Sequence, residues 1–223
     1  DPRFYEWLWE MENEIRPLLP MVYYHVWDNK PLPMFNKMFY ESNDHIVSIS
    51  KLTHECVTGV TPDVDSTYLP HAVDSQFFSP RSISERDELR NKILPEEDQD
   101  KFIVFWNNRN ARRKMSGSLL WWWKEWLDKR DLNDKAQLIM HTNPFDQHGQ
   151  NLNMIAQELG MNNRQVTFST QKVDLKGMPA FYLIADCTVN IADADAESEY
   201  IILTTADFNY EFALRVDAQS MQP

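Results

Sequence analysis

No stretch of this sequence approaches the roughly 20 consecutive apolar residues that a membrane-crossing helix needs. Residues 1–16 are acidic and lack a basic leading region, so they do not read as a secretory signal. Cysteine is scarce. Cys56 and Cys187 stand far apart and suit a reducing compartment better than a disulfide framework; a cytoplasmic location is expected. Cys56 has no neighbouring base and reads as a core residue. Positive charge is also in short supply, with 22 Lys and Arg against 34 Asp and Glu, a net charge of −12. That balance disfavours broad binding to nucleic acid or to an anionic membrane surface. His71 and His148 have no neighbour at metal-ligand spacing, so no metal site is expected. Internal repeats and low-complexity tracts are absent.

What remains is ordinary soluble composition, 43% hydrophobic and 25% charged. With 223 residues the chain forms either one large domain or two small ones, each able to bury a core. The scarce positive charge is concentrated. Arg109, Arg112, Arg113 and Lys114 fall together in KFIVFWNNRNARRK, residues 101–114. There an apolar, β-prone run (Phe102 to Trp106) stops at Asn107-Asn108, and a helix is expected to begin near Arg113. A buried parallel strand that opens through a short loop into a helix is a common phosphate-holding arrangement. The helix start offers unbonded N–H groups and partial positive charge, and nearby cations add to both.

Hydrophobic periodicity places this motif in an alternating β-α chain. Trp7, Leu8, Met11 and Ile15 have helical spacing within residues 4–16. Strands are expected at Met21–Val26, His45–Ser50 and Thr67–Leu69, with helices at Met34–Glu41 and Lys51–Val57. The chain enters this pattern through Asp1-Pro2-Arg3 with no strand ahead, so further residues upstream are expected. Residues 82–100 are strongly charged, with a helix near Ser84–Ile93 capped by Ser84, and read as a connector. Alternation then resumes. Strands are expected at Phe102–Trp106, Ala136–His141, Val166–Ser169 and Thr188–Ile191; helices at Arg113–Lys129, Asn151–Gly160 and Met178–Ala185. Such alternation predicts a doubly wound, mostly parallel sheet. The tail departs from it: Tyr200–Thr205 reads as a strand, Tyr210–Val216 as strand or helix. In the helix bearing WWWKEW, Trp122 and Trp126 share a face expected to pack in the core, with a peripheral membrane patch as the alternative.

Six segments stand in order across roughly residues 20–197: YYHVWDN, HIVSISKLT, YLPHAVDSQFFSP, FIVFWNNRNARRK, NLNMIAQELGMNNRQVTFST and MPAFYLIADCTVNIAD. Together they resemble the retaining GT-B glycosyltransferases of the group 1 (family 4) type. The resemblance implies an α/β fold of two Rossmann-like domains (GT-B architecture), with the N-terminal domain incomplete. Residues 1–80 would form the acceptor-side domain, 81–100 a linker and 101–223 the nucleotide-sugar donor domain. One passage departs from the family. After Ile191-Ala192-Asp193 the group usually has an acidic residue, a glycine turn and a second Glu, whereas here Asp195 and Glu197 are followed by no glycine turn, with Leu203 and Thr205 beyond.

The resemblance also implies site residues. Arg109 and Lys114 would grip the donor diphosphate, against the alternative of a solvated helix start; Arg112 and Arg113 read as surface residues. His25 would contact the sugar at the reaction centre, the alternative being a satisfied buried histidine, and Asp28 would orient it or cap a helix. Asp195 and Glu197 are the catalytic carboxylate candidates, or else a solvated acidic loop. His141, Ser169 and Lys172, which follow two further strands, would contact the nucleotide. The expected activity moves a hexose from a nucleotide-diphosphate sugar to a glycan or lipid acceptor, with retention and with neither metal nor other cofactor. Membrane contact, if any, would be peripheral. A non-catalytic nucleotide- or glycan-binding module is the alternative, and a sugar-phosphate enzyme of another α/β family a third.

Overall fold

A computed structural model describes residues 1–27 and 29–192, together with the backbone of two strands at 201–204 and 211–214. The described residues form two compact units, one comprising Asp1–Val73 and the other beginning at Asp74.

In the first unit β1 (Val22–His25), β2 (His45–Ser48) and β3 (Ser66–Tyr68) run parallel, in that order. The connection from β1 to β2 carries a 3-10 turn and α3 (Lys37–Glu41); that from β2 to β3 carries α4 (Lys51–Val60). Ser50 starts α4 by accepting the Thr53 N–H at 3.0 Å, which satisfies one of the helix's orphan donors. Tyr40, Ile46, Val57 and Val60 form the core between helices and sheet. The helix expected over residues 4–16 is divided into a 3-10 turn at Pro2–Tyr5, α1 (Glu6–Glu10) and α2 (Glu12–Ile15). Its buried anchor is Trp9, whose indole N–H donates to the Pro2 carbonyl at 2.7 Å; Trp7 and Met11 face outward. Helical spacing located the segment and two of its inward residues, Leu8 and Ile15, but missed Trp9, whose polar edge finds a partner when buried.

In the second unit β4 (Phe102–Asn107), β5 (Ala136–His141), β6 (Val166–Ser169) and β7 (Cys187–Thr188) form an all-parallel sheet ordered β6-β5-β4-β7. Residues alternate between its faces. Val104, Trp106, Leu138 and Met140 join Leu120 and Leu127 of α6 (Ser116–Arg130) and Leu152 and Ala156 of α7 (Leu152–Glu158). Ile103, Phe105 and Ile139 point the other way, to Ile184 of α8 (Met178–Ile184) and Leu89 of α5 (Ile83–Ile93). Helices thus cover both faces, as a buried parallel sheet requires.

Several local expectations change. Ser82, not Ser84, caps α5: its hydroxyl accepts the Glu85 N–H and the Glu85 carboxylate accepts the Ser82 N–H, a reciprocal capping box. The charged stretch expected as connector is fastened to the second unit. Arg86 and Arg90 both pair with Asp186, whose carboxylate also accepts the Ile103 N–H. Trp123 is the tryptophan buried by α6, donating to the Gln165 carbonyl at 2.9 Å and stacking on Trp126, while Trp121 and Trp122 are exposed. The tail contains β8 (Ile201–Thr204) and β9 (Glu211–Leu214), paired antiparallel and separate from the parallel sheet.

Candidate functional site

The strand order of the second unit puts β4 at a topological switch point. From β4 the chain steps sideways to β5 and β6, then returns to the other flank of β4 as β7. The strand order reverses between β4 and β7, and the crevice outside the carboxyl ends at such a point is where open α/β sheets hold ligands. Arg109 lies on the loop leaving β4. The next residues, Arg112–Lys114, form a 3-10 turn, and Met115 takes a left-handed conformation (φ 52°) before α6 begins at Ser116. Lys114 thus lies just ahead of the long helix, not within it as expected from the sequence. Left-handed backbone is costly for a side-chain-bearing residue, and such strain is concentrated at functional sites.

The loop after β5, residues 142–151, packs against this loop, and Asn110 joins them. Asn110 is fully buried. Its amide donates to the Gln150 carbonyl at 2.7 Å and the Asn143 carbonyl at 3.3 Å, and its Oδ1 accepts from Ser116 Oγ at 2.7 Å and from the Gln150 N–H at 3.3 Å. Gln150 Oε1 in turn accepts the Gly117 N–H at 3.1 Å, in the first turn of α6. Gly149 is required by the closeness of the loops, since a Cβ there would lie 2.1 Å from the Asn110 carbonyl oxygen. Arg109 forms a two-point ion pair with Asp146 of the second loop, Nε to Oδ2 at 2.8 Å and Nη2 to Oδ1 at 3.1 Å. The guanidinium, with help from the His148 N–H, holds the Asp146 carboxyl down to about 2.

Strand register aligns Asn107, His141 and Ser169 side by side at the carboxyl ends of β4, β5 and β6. His141 Nδ1 and Ser169 Oγ are 2.9 Å apart, and the imidazole lies against the Phe181 ring. Partial burial lowers the His141 pKa, favouring the neutral ring. Asn107 donates to the Tyr182 hydroxyl at 3.2 Å. Lys172 is exposed on the loop after β6. Arg109, Lys114, His141, Ser169 and Lys172 therefore all belong to loops or strand ends on one edge of one sheet.

His25 belongs to the first unit. It ends β1 and has no accessible surface; its Nε2 is 2.7 Å from the Tyr40 hydroxyl, and its ring lies between those of Tyr23 and Trp27. Burial pushes its pKa down to about 3. Its enclosure has the placement expected of the buried-histidine alternative. Asp28, Asp195 and Glu197 lie outside the described residues.

Sequence reasoning missed Asn110, Asp146, Gly149 and Gln150. The available signal was the polar run Asn143 to Asn151 (NPFDQHGQN), a long, glycine-containing turn directly after a buried strand.

No protein-family model matches the chain, and no curated protein matches it. Solved structures do. Anabaena Alr3699/HepE, in complex with UDP and glucose, aligns with a TM-score of 0.62 at 14% identity over 81% of this chain and 48% of that one. The α,α-trehalose 6-phosphate synthase from Burkholderia multivorans aligns with a TM-score of 0.61 at 12% identity over 83% and 49%. The N-terminal domain of Candida albicans trehalose-6-phosphate phosphatase aligns with a TM-score of 0.64 at 14% identity over 83% and 47%. The fold is of the GT-B type. At such identities the likeness is one of fold, and the chain spans about half the length of the structures it matches.

Proposed function

We propose that this protein is a glycosyltransferase that moves a hexose from a nucleotide-diphosphate sugar to a glycan or lipid acceptor, with retention and without a required metal or other cofactor. One observation carries the donor half of this reading. A cluster of cations in an otherwise acidic chain, Arg109 with Arg112 to Lys114, lies at the switch-point edge of its parallel sheet, beside a helix start. Arg109 and Lys114 would neutralise the diphosphate. As the sugar–oxygen bond breaks, negative charge grows on the leaving phosphate oxygen, and cations fixed in advance stabilise that charge more than the ground state. His141, Ser169 and the exposed Lys172 would contact the nucleotide from the ends of β5 and β6. Retention, the acceptor and the catalytic part given to Asp195 and Glu197 rest on the sequence resemblance. The part given to His25 rests on that resemblance alone. HepE holding UDP and glucose within the same fold supports the choice of donor class.

Calorimetric titration with UDP, GDP and ADP tests this. One nucleotide should bind saturably to the wild type, and Arg109→Ala/Lys114→Ala should abolish that binding while the protein stays folded. Failure of a folded wild type to bind any of the three would overturn the proposal. A second reading, a nucleotide-binding module without catalysis, is favoured by the missing glycine turn and second Glu after Asp193. Turnover of a bound donor sugar separates the two.

A further inference from the structure

We infer that Asp146 is the positioning residue that aims Arg109 at the donor phosphates; the inference rests on the nucleotide-binding reading above.

Asp146 engages Arg109 through Nε and Nη2, the side of the guanidinium. Two of its five N–H groups are used this way, and three remain, all on the terminal nitrogens. The planar end edge therefore stays open for a second two-point contact, and phosphate fits that edge. Exposure agrees. The Arg109 side chain is 60% exposed, whereas Asp146 is 14% exposed.

Asp146 is the fixed partner. Its Oδ1 accepts the His148 N–H at 2.9 Å and its carbonyl accepts the Gly149 N–H at 3.0 Å, locking the carboxylate into a turn. That turn is tied to the loop of Arg109 through Asn110 and through the Arg112 N–H, which donates to the His148 carbonyl at 3.2 Å. A rigid carboxylate one loop away thus selects a single arrangement of a long, rotamer-rich side chain. The ordering entropy of Arg109 is spent in folding and is not charged again when an anion arrives.

An opposing effect exists. Asp146 is a negative charge close to an anion site, and a carboxylate that merely competed for Arg109 would weaken binding. The open end edge of the guanidinium favours the positioning role, and the two roles predict opposite signs.

The test is calorimetric titration of the full chain with whichever of UDP, GDP or ADP the wild type binds. The variants are Asp146→Ala, Asp146→Asn, Arg109→Lys and the Arg109→Lys/Asp146→Ala pair. Asp146→Asn keeps an oxygen for the His148 N–H, so the turn persists while the charge and one Arg109 contact go. Asp146→Ala should weaken binding roughly tenfold, the order of a lost charge-assisted contact, with Asp146→Asn in between. In the Arg109→Lys background, where no planar fork remains to be aimed, the Asp146→Ala penalty should shrink to about twofold or less. Unchanged or tighter binding in Asp146→Ala would overturn the inference. So would an equal penalty in both backgrounds, which would make Asp146 a support of the loop alone. A wild type that binds none of the nucleotides sinks the donor-site reading itself, and the inference with it.

Discussion

At the scale of single residues, burial decides chemistry more than residue type does. His25 and His141 both end parallel strands, yet one is sealed and the other half-open. For His25 the consequence is a pH dependence of stability. Its folded pKa of about 3 lies below the ordinary 6.5 because burial penalises the cation. Between those values the unfolded chain holds a proton that the folded chain does not, so stability falls as pH falls. Above 6.5 both forms are neutral and the contribution is complete. The slope approaches about 1.4 kcal/mol per pH unit, hence about 2 kcal/mol between pH 6.5 and 5. Urea denaturation at those two pH values should show the loss in wild type and lack it in His25→Asn. Parallel behaviour of the two proteins would refute the assignment.

At the scale of elements, the site is two loops held together by polar side chains. Apart from the single 3-10 turn at Arg112–Lys114 the two loops carry no regular element; the clasp is the set of hydrogen bonds converging on Asn110. Gly149 permits this approach. In Gly149→Ala the new methyl would press on the Asn110 carbonyl, a backbone atom that cannot rotate away, so the loops must part. The expected cost is about 1–3 kcal/mol of stability, with weaker nucleotide binding because Arg109 and Asp146 separate. Thermal denaturation and titration of the same preparation check both. An alanine variant with unchanged stability and affinity would show that the loops are not clasped there.

At the scale of the whole molecule, each of the two units has its own core, and every described element of the proposed donor site belongs to the second. Nucleotide at 100 times its dissociation constant should therefore stabilise the second unit by about 2.7 kcal/mol and leave the first unchanged. Hydrogen exchange resolved by peptide would show it as added protection over β4, β5 and β6. Equal protection of β1 to β3 would place the ligand elsewhere.

Much of this architecture was legible in the residues. Alternation of β-prone runs with helical spacing marked the strands, because parallel strands buried on both faces must be continuously apolar, as IVFW and LIM are. The concentration of Arg and Lys after Trp106 marked a cationic strand end for a similarly local reason: a strand end, a polar break and clustered charge are neighbours in sequence. The inner face of residues 4–16 was legible at Leu8 and Ile15 but not at Trp9, since Trp7 and Trp9 have the same hydrophobicity and only packing separates them. Nor was Asp146, which lies 37 residues beyond Arg109 and meets it only because β5 pairs with β4. The sequence by itself determined the elements and the sign of their charges, both consequences of short-range pattern. The tertiary structure decided that β7 returns to the far side of β4, that His25 is enclosed, and that Arg109 is held by a carboxylate from another loop. Those outcomes depend on contacts between distant segments, whose pairing is set by the joint burial of all the strands and by no single stretch of chain.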